Sequence, residues 1–161
     1  MKIFFAIILS AALLISCSAE YTTDPFSAFV GEIEADISLT FSGQPSSFTY
    51  SGGSVRFTAP DELNGYTLTR QGEQVYFNYG ELSVGVSDSA GRVLRLCESV
   101  FSPEKVTDIT AEHRDGVTVT LVQTPEYVYV FSSEGIPISV SGSFEGEAFE
   151  MSFSRFEVRS K

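Results

Sequence analysis

The sequence contains no Trp, a single histidine (His113) and only two cysteines, Cys17 and Cys97. One His and two Cys are too few for most metal clusters or for a disulfide scaffold, so no metal and no cofactor are expected. Basic residues are also scarce, 10 against 21 acidic ones, for a net charge of −11. Such a chain gains nothing from a phosphate backbone, which excludes nucleic acid as an expected partner. It also lacks the basic patch that holds proteins to anionic lipid. Charged residues make up 19% and hydrophobic ones 43%, which argues against intrinsic disorder. No apolar run reaches the roughly 20 residues a membrane-spanning helix needs. No Pro/Gly-rich linker and no fixed-period repeat divides the chain, and its length suits one domain with a real core.

What is present begins with the leader. Lys2 supplies a positive end, and residues 3–15 form an apolar stretch of the length found in export signals. Leu14-Ile15-Ser16-Cys17 follows. It resembles a lipobox, with an aliphatic residue three positions before the Cys and a small residue just before it. Residues 1–16 are therefore expected to be a lipoprotein signal peptide and Cys17 the lipidated N-terminus. Two or three acyl chains, palmitate among them, would hold the chain to the membrane, at about 0.8 kcal/mol per buried CH₂. Residues 17–23 read as a lipidated tether and 24–161 as the folded domain, facing outside the cytoplasm in the cell envelope. Lipidation consumes Cys17 and leaves Cys97 as the one thiol. Cys97 sits in a helix-like apolar pattern and reads as a small buried hydrophobe.

The folded domain is dominated by period-two patterning. Asp24 and Pro25 open a short helical turn in which Phe26, Phe29 and Val30 form an apolar side. Ile33, Ala35, Ile37, Leu39 and Phe41 then alternate with polar residues, as in a half-buried strand. Further alternation marks strands around Phe48–Tyr50, Val55–Phe57, 66–70, 75–79 and 82–86. Residues 92–101 hold the best helix, with Val93, Leu94, Leu96, Cys97, Val100 and Phe101 at three- and four-residue spacings, and Pro103 ends it. Strands resume at 106–112. Asp115-Gly116 is a hairpin signal leading into 117–121, then 127–131, 136–140 and 149–158. Pro137 marks an edge or a strand start. A slip of the apolar phase near Ser154-Arg155 predicts a bulge. About ten strands with one helix between two groups make an antiparallel sheet system that must curl, close or split.

Each strand offers one apolar face, and beyond the expected signal peptide the chain has 12 Phe and 7 Tyr. One curled sheet would leave a wide concavity open to a ligand, whereas two packed sheets would use the same residues as ordinary core. Patterning alone leaves both open.

Residues 54–86 bring in a resemblance. They read Ser-Val-Arg-Phe-Thr-Ala-Pro-Asp-Glu-Leu, then Tyr-Thr-Leu-Thr-Arg-Gln-Gly-Glu-Gln-Val-Tyr-Phe-Asn-Tyr, then Leu-Ser-Val-Gly-Val. This order resembles the lipoprotein-carrier family, the LolA/LolB-like half-barrels. The run Ser132-Ser133-Glu134-Gly135-Ile136-Pro137 and the closing Phe153-Ser154-Arg155-Phe156-Glu157-Val158 are similar to its last strands, and residues 92–101 fall where the family places helices in the concavity. The resemblance implies a mostly β fold: a single curled antiparallel sheet, an incomplete barrel, with one short N-terminal helix and one helix near 92–101. It further implies an apolar cavity for acyl chains of lipids or lipoproteins, for which the candidates are Ile37, Leu39, Phe41, Phe57, Leu68, Phe77, Val84 and Leu121. An envelope protein partner bound by a β-sandwich module is the alternative.

Enzymatic chemistry finds little support. His113 stands at a strand end beside Asp115-Gly116 and reads as a surface residue, and no Gly-x-Ser-x-Gly elbow exists for a triad. Glu32, Glu34 and Asp36 share one strand face and read as solubilising charges rather than an acid/base pair. Gly52-Gly53 lacks the Lys-Ser/Thr of a phosphate loop. The expected role is binding without catalysis.

Overall fold

The computed structural model describes residues 24–87 and 91–159; the leader, Cys17 and the tether lie outside them. The strands are β1 (Glu32–Phe41), β2 (Gln44–Ser51), β3 (Ser54–Ala59), β4 (Thr67–Gln71), β5 (Gln74–Tyr79), β6 (Leu82–Val86), β7 (Asp108–Arg114), β8 (Val117–Gln123), β9 (Tyr127–Ser132), β10 (Pro137–Phe144) and β11 (Glu147–Arg159). Helix α1 (Arg92–Val100) lies between β6 and β7, and a short 3₁₀ helix spans Pro25–Phe29. The Asp24 carboxylate caps that turn by accepting from Phe26 N at 3.0 Å, with Pro25 in its first position.

All eleven strands belong to one antiparallel sheet in the order β6-β5-β4-β3-β2-β1-β11-β10-β9-β8-β7. The described strands form a continuous ladder rather than two packed sheets, with β6 and β7 as free edges. The first strand pairs with the last, so two meanders are sewn together at β1–β11. That seam carries the predicted bulge: Asp36 faces Arg155 and Ile37 faces Phe153, which leaves Ser154 as the extra residue. On the outer face of the seam, Glu34 and Asp36 accept from Arg155 at 2.6 and 3.0 Å, and Glu34 also accepts from Arg159 at 2.6 Å. The acidic face of β1 therefore makes cross-strand ion pairs.

Helix contacts show that the sheet curls. Glu98 pairs with Arg70 of β4, with both nitrogen–oxygen distances 2.7 Å. Its neighbour Ser99 hydrogen-bonds Tyr127 of β9 at 2.7 Å. In a flat sheet β4 and β9 would stand six strand spacings apart, roughly 29 Å at about 4.8 Å each. Consecutive residues of one helix can reach both only because the sheet wraps around α1.

The face turned to the helix holds the core. Ile33, Ala35, Ile37 and Leu39 of β1, Phe48 and Tyr50 of β2, Val55 and Phe57 of β3, and Tyr127, Tyr129 and Phe131 of β9 are all buried there. Leu94, Leu96, Cys97 and Val100 of α1 close over them. The sheet positions the helix more than the helix caps itself. Gly91 gives no side-chain cap, and the first turn carries no acidic residue to match the helix dipole. Instead the β10–β11 turn supplies Glu145, which accepts from Arg92 at 2.9 Å and Arg95 at 2.6 Å, while Glu147 accepts from Arg92 at 3.0 Å.

The turns follow the chemistry of their residues. Asp115 and Gly116 have φ of 50° and 82°, the left-handed pair that a two-residue hairpin needs. Pro137 is the first residue of β10, where its missing N–H breaks no ladder. The strand expected from Val106 begins only at Asp108, because Val106 and the preceding residues run in the crossover from α1.

Candidate functional site

The concave face divides into a filled part and a bare flank. At its centre the 3₁₀ helix drives Phe26 and Phe29 into the trough. Phe26 meets Tyr129 edge-on with ring centroids 4.9 Å apart, and Phe29 meets Phe101 at 5.6 Å and Phe156 at 5.7 Å. Tyr129 donates to the carbonyl of Val100 at 3.0 Å, which fixes the helix end on β9. Burial pushes the Tyr50 hydroxyl up to about 12 and raises those of Tyr129 and Tyr127 as well. Cys97 is wholly buried, and burial holds its thiol protonated, far from nucleophile behaviour.

On β4–β6 the same face is buried at Leu68 and Val75 and runs out beyond the helix toward Tyr79 and Leu82. Cross-strand pairing places Leu68 opposite Phe77, then Phe77 opposite Val84 and Tyr79 opposite Leu82. Tyr66 stacks on Phe77 at 4.7 Å and on Tyr79 at 4.3 Å. Outward from this stack Tyr79, Leu82 and Val84 are 52, 61 and 47% exposed. On edge strand β6, Leu82 and Val84 present apolar side chains to water while Val86 packs against the core.

Three open clefts, of about 390, 440 and 540 Å³, lie beside the 3₁₀ helix, away from this flank. The largest is bounded by Phe29, Tyr50 and Phe101, with Glu32 and Glu98 also in its wall. A second has Phe26, Val30 and Val106 in its wall with Lys105 beside them.

The sequence-chosen cavity residues scatter across this geometry. Ile37, Leu39, Phe57 and Leu68 sit in the packed core with at most 5% exposure, under the helix rather than against a void. Phe41 packs against the core and carries the Arg92 guanidinium 4.8 Å above its ring. Phe77 and Val84 fall on the bare flank. Leu121 points to the convex face, because its neighbours Thr120 and Val122 pair with the inward Phe131 and Tyr129. Sequence reading passed over Tyr66, Tyr79 and Leu82. The available signal was an uncharged strand, Leu82–Val86, ending the first strand group just before the chain breaks pattern.

His113 is exposed on edge strand β7, its Nδ1 3.4 Å from the Thr118 hydroxyl. Among the described residues no group of three or more His, Cys, Asp or Glu could hold a metal ion, and no helix is long and apolar enough to cross a membrane.

No protein-family signature matches the chain, and no curated protein does. Solved structures are similar to it in shape. An uncharacterized conserved protein of Thermus thermophilus aligns with 90% of each chain at 9% identity and a TM-score of 0.49. The lipoprotein LppX of Mycobacterium tuberculosis covers 85% of this chain and 94% of its own at 12% identity, TM-score 0.46. A LolA superfamily protein of Nitrosomonas europaea covers 81% and 87% at 10% identity, TM-score 0.43. Scores below 0.5 describe a loose likeness of shape. The fold itself is read from the coordinates: an open antiparallel sheet curled around one helix, the half-barrel arrangement that the sequence resemblance implied.

Proposed function

We propose that this chain is a lipid-anchored, non-catalytic protein of the cell envelope that shelters acyl chains of lipids or lipoproteins on the concave face of its half-barrel. The observation that carries this reading is the bare flank of β4–β6. There Tyr79, Leu82 and Val84 leave apolar surface in water on the same face that elsewhere forms the core. Apolar area in water costs roughly 25 cal/mol per Å², so a greasy guest gains most where the fold leaves its own face uncovered. The proposed contact residues are Tyr66, Phe77, Tyr79, Leu82 and Val84. The anchor is Cys17, where the sequence resembles a lipobox. The filled centre, with Ile37, Leu39, Phe57 and Leu68, acts as scaffold.

Native mass spectrometry of the full chain, exported and purified in mild detergent, tests this. The expected result is co-purifying lipid and uptake of a fluorescent fatty acid, both lost in Leu82→Asp/Val84→Asp while thermal unfolding stays cooperative. A wild-type protein free of lipid that takes up no fatty acid would refute the sheltering role.

A further inference from the structure

The topology sorts the exposed large apolar residues by position. β1 begins, and β8 and β10 begin, at the end of the sheet where β9 and β11 finish. That end gathers Val30, Val117, Ile136, Ile138 and Val158, with Val30 76%, Val117 54% and Ile136 46% exposed. Ile109 on β7 stands apart, and the remaining exposed ones belong to the β5–β6 flank. The chain enters the fold at this same end. Asp24, Pro25 and Ala28 face Ser133, Glu134 and Gly135 of the β9–β10 turn across one of the clefts.

We propose that this end rests on the lipid surface that holds Cys17, with Val30, Val117 and Ile136 dipping into the headgroup region. The proposal rests on the anchoring reading given above and adds the orientation. Seven residue steps separate Cys17 from Asp24, about 25 Å at full extension. β9 and β10 rise about 3.3 Å per residue over 6 and 8 residues. Turning the far end of the sheet to the bilayer would consume nearly all of that reach, whereas the near end meets it with slack. Asp24, Glu32, Glu104, Asp115 and Glu134 stand at this end against Lys105, Arg114 and Arg159. The surface therefore suits zwitterionic rather than anionic headgroups, held by apolar contact. The bare β5–β6 flank, with the Gly80 turn at the opposite end, would then face away from the membrane.

Because the chain has no Trp, a single introduced Trp reports its own depth. Full-length lipidated Ile136→Trp, Val117→Trp and a far-end convex control, Ser143→Trp, would be reconstituted into phosphatidylcholine vesicles with and without brominated acyl chains. The expected result is blue-shifted emission and strong quenching for the first two and neither for Ser143→Trp. Lipidation is read separately, from the intact mass and from Cys17→Ser. A lipidated protein whose three Trp variants are equally unquenched overturns the orientation and leaves the anchor standing. An unmodified Cys17 overturns the anchor and the orientation with it. Emission already blue-shifted without vesicles, and rising with protein concentration, would put a second copy on this end and also overturn the proposal.

Discussion

On β9–β11 the concave face carries Tyr129, Phe131 and Met151, all buried beneath the 3₁₀ helix and α1; on β4–β6 the same face carries Tyr79, Leu82 and Val84, exposed to water. The residue types are alike, and the strands alternate alike. What differs is reach. A nine-residue helix is about 13.5 Å long at 1.5 Å per residue, so it spans the middle of a curled eleven-stranded sheet and stops short of one flank. Its N-terminal end still reaches β5, where Gly91 lies against the buried Val75, so what stays bare is the far end of β5 and β6. Apolar surface that the fold covers is stability, and apolar surface of the same kind that it leaves uncovered is available for binding.

Truncation on each side should break the likeness most sharply. Tyr129→Ala removes a fully buried ring and the hydrogen bond to Val100, and should cost about 3–5 kcal/mol in chemical denaturation. Tyr79→Ala on the flank should cost about 1 kcal/mol or less, the worth of its stacking on Tyr66. Equal losses at both positions would mean that the flank is core after all. An effect between these two is expected at Gly142, which pairs with both Tyr127 and Phe149. A Cβ there would stand 2.4 Å from the Glu126 carbonyl oxygen and 2.8 Å from the Tyr127 ring. Gly142→Ala should therefore lower stability by about 1–3 kcal/mol through overpacking and loosen the Tyr127–Ser99 contact that seats the helix. Unchanged stability would show that β9 can shift freely.

Much of the filled side was legible in the sequence because its signals are local. The alternation of Ile33 to Phe41, the phase slip at Ser154, the Asp115-Gly116 turn and the helical spacing from Val93 to Phe101 each depend on neighbours within a few residues. The bare flank was not legible. The strand Leu82–Val86 could be seen, but its exposure follows from two long-range facts, its place at the sheet edge and the reach of the helix. Leu121 shows the same limit at smaller scale. Val117, Val119 and Leu121 alternate with Thr118 and Thr120, so alternation pointed Leu121 inward; pairing of Thr120 with Phe131 and Val122 with Tyr129 turns the other face in instead. The ligand surface, made of apolar residues without converging polar groups, carries no motif that spacing could reveal.

The weakest expected effect separates the two sides by pH. Tyr50 lies under the helix end beside Phe101, ring centroids 4.9 Å apart, and burial raises its hydroxyl to about 12 from an ordinary value of 10.0. Between those values the unfolded chain sheds this proton while the folded chain keeps it, so unfolding is favoured as pH rises. The contribution is whole below pH 10.0 and fades as pH approaches about 12. Urea titrations between pH about 9 and about 11 should show wild-type stability falling, and Tyr50→Phe, with no phenol to ionise, falling less steeply. Cys97, Tyr127 and Tyr129, also raised by burial, leave a residual slope in that variant. Leu82→Ser on the flank should leave the alkaline limb parallel to wild type. If Tyr50→Phe instead runs parallel to wild type, the Tyr50 ring is reached by water in solution, and the cleft beside it, rather than β4–β6, becomes the more open part of the concave face.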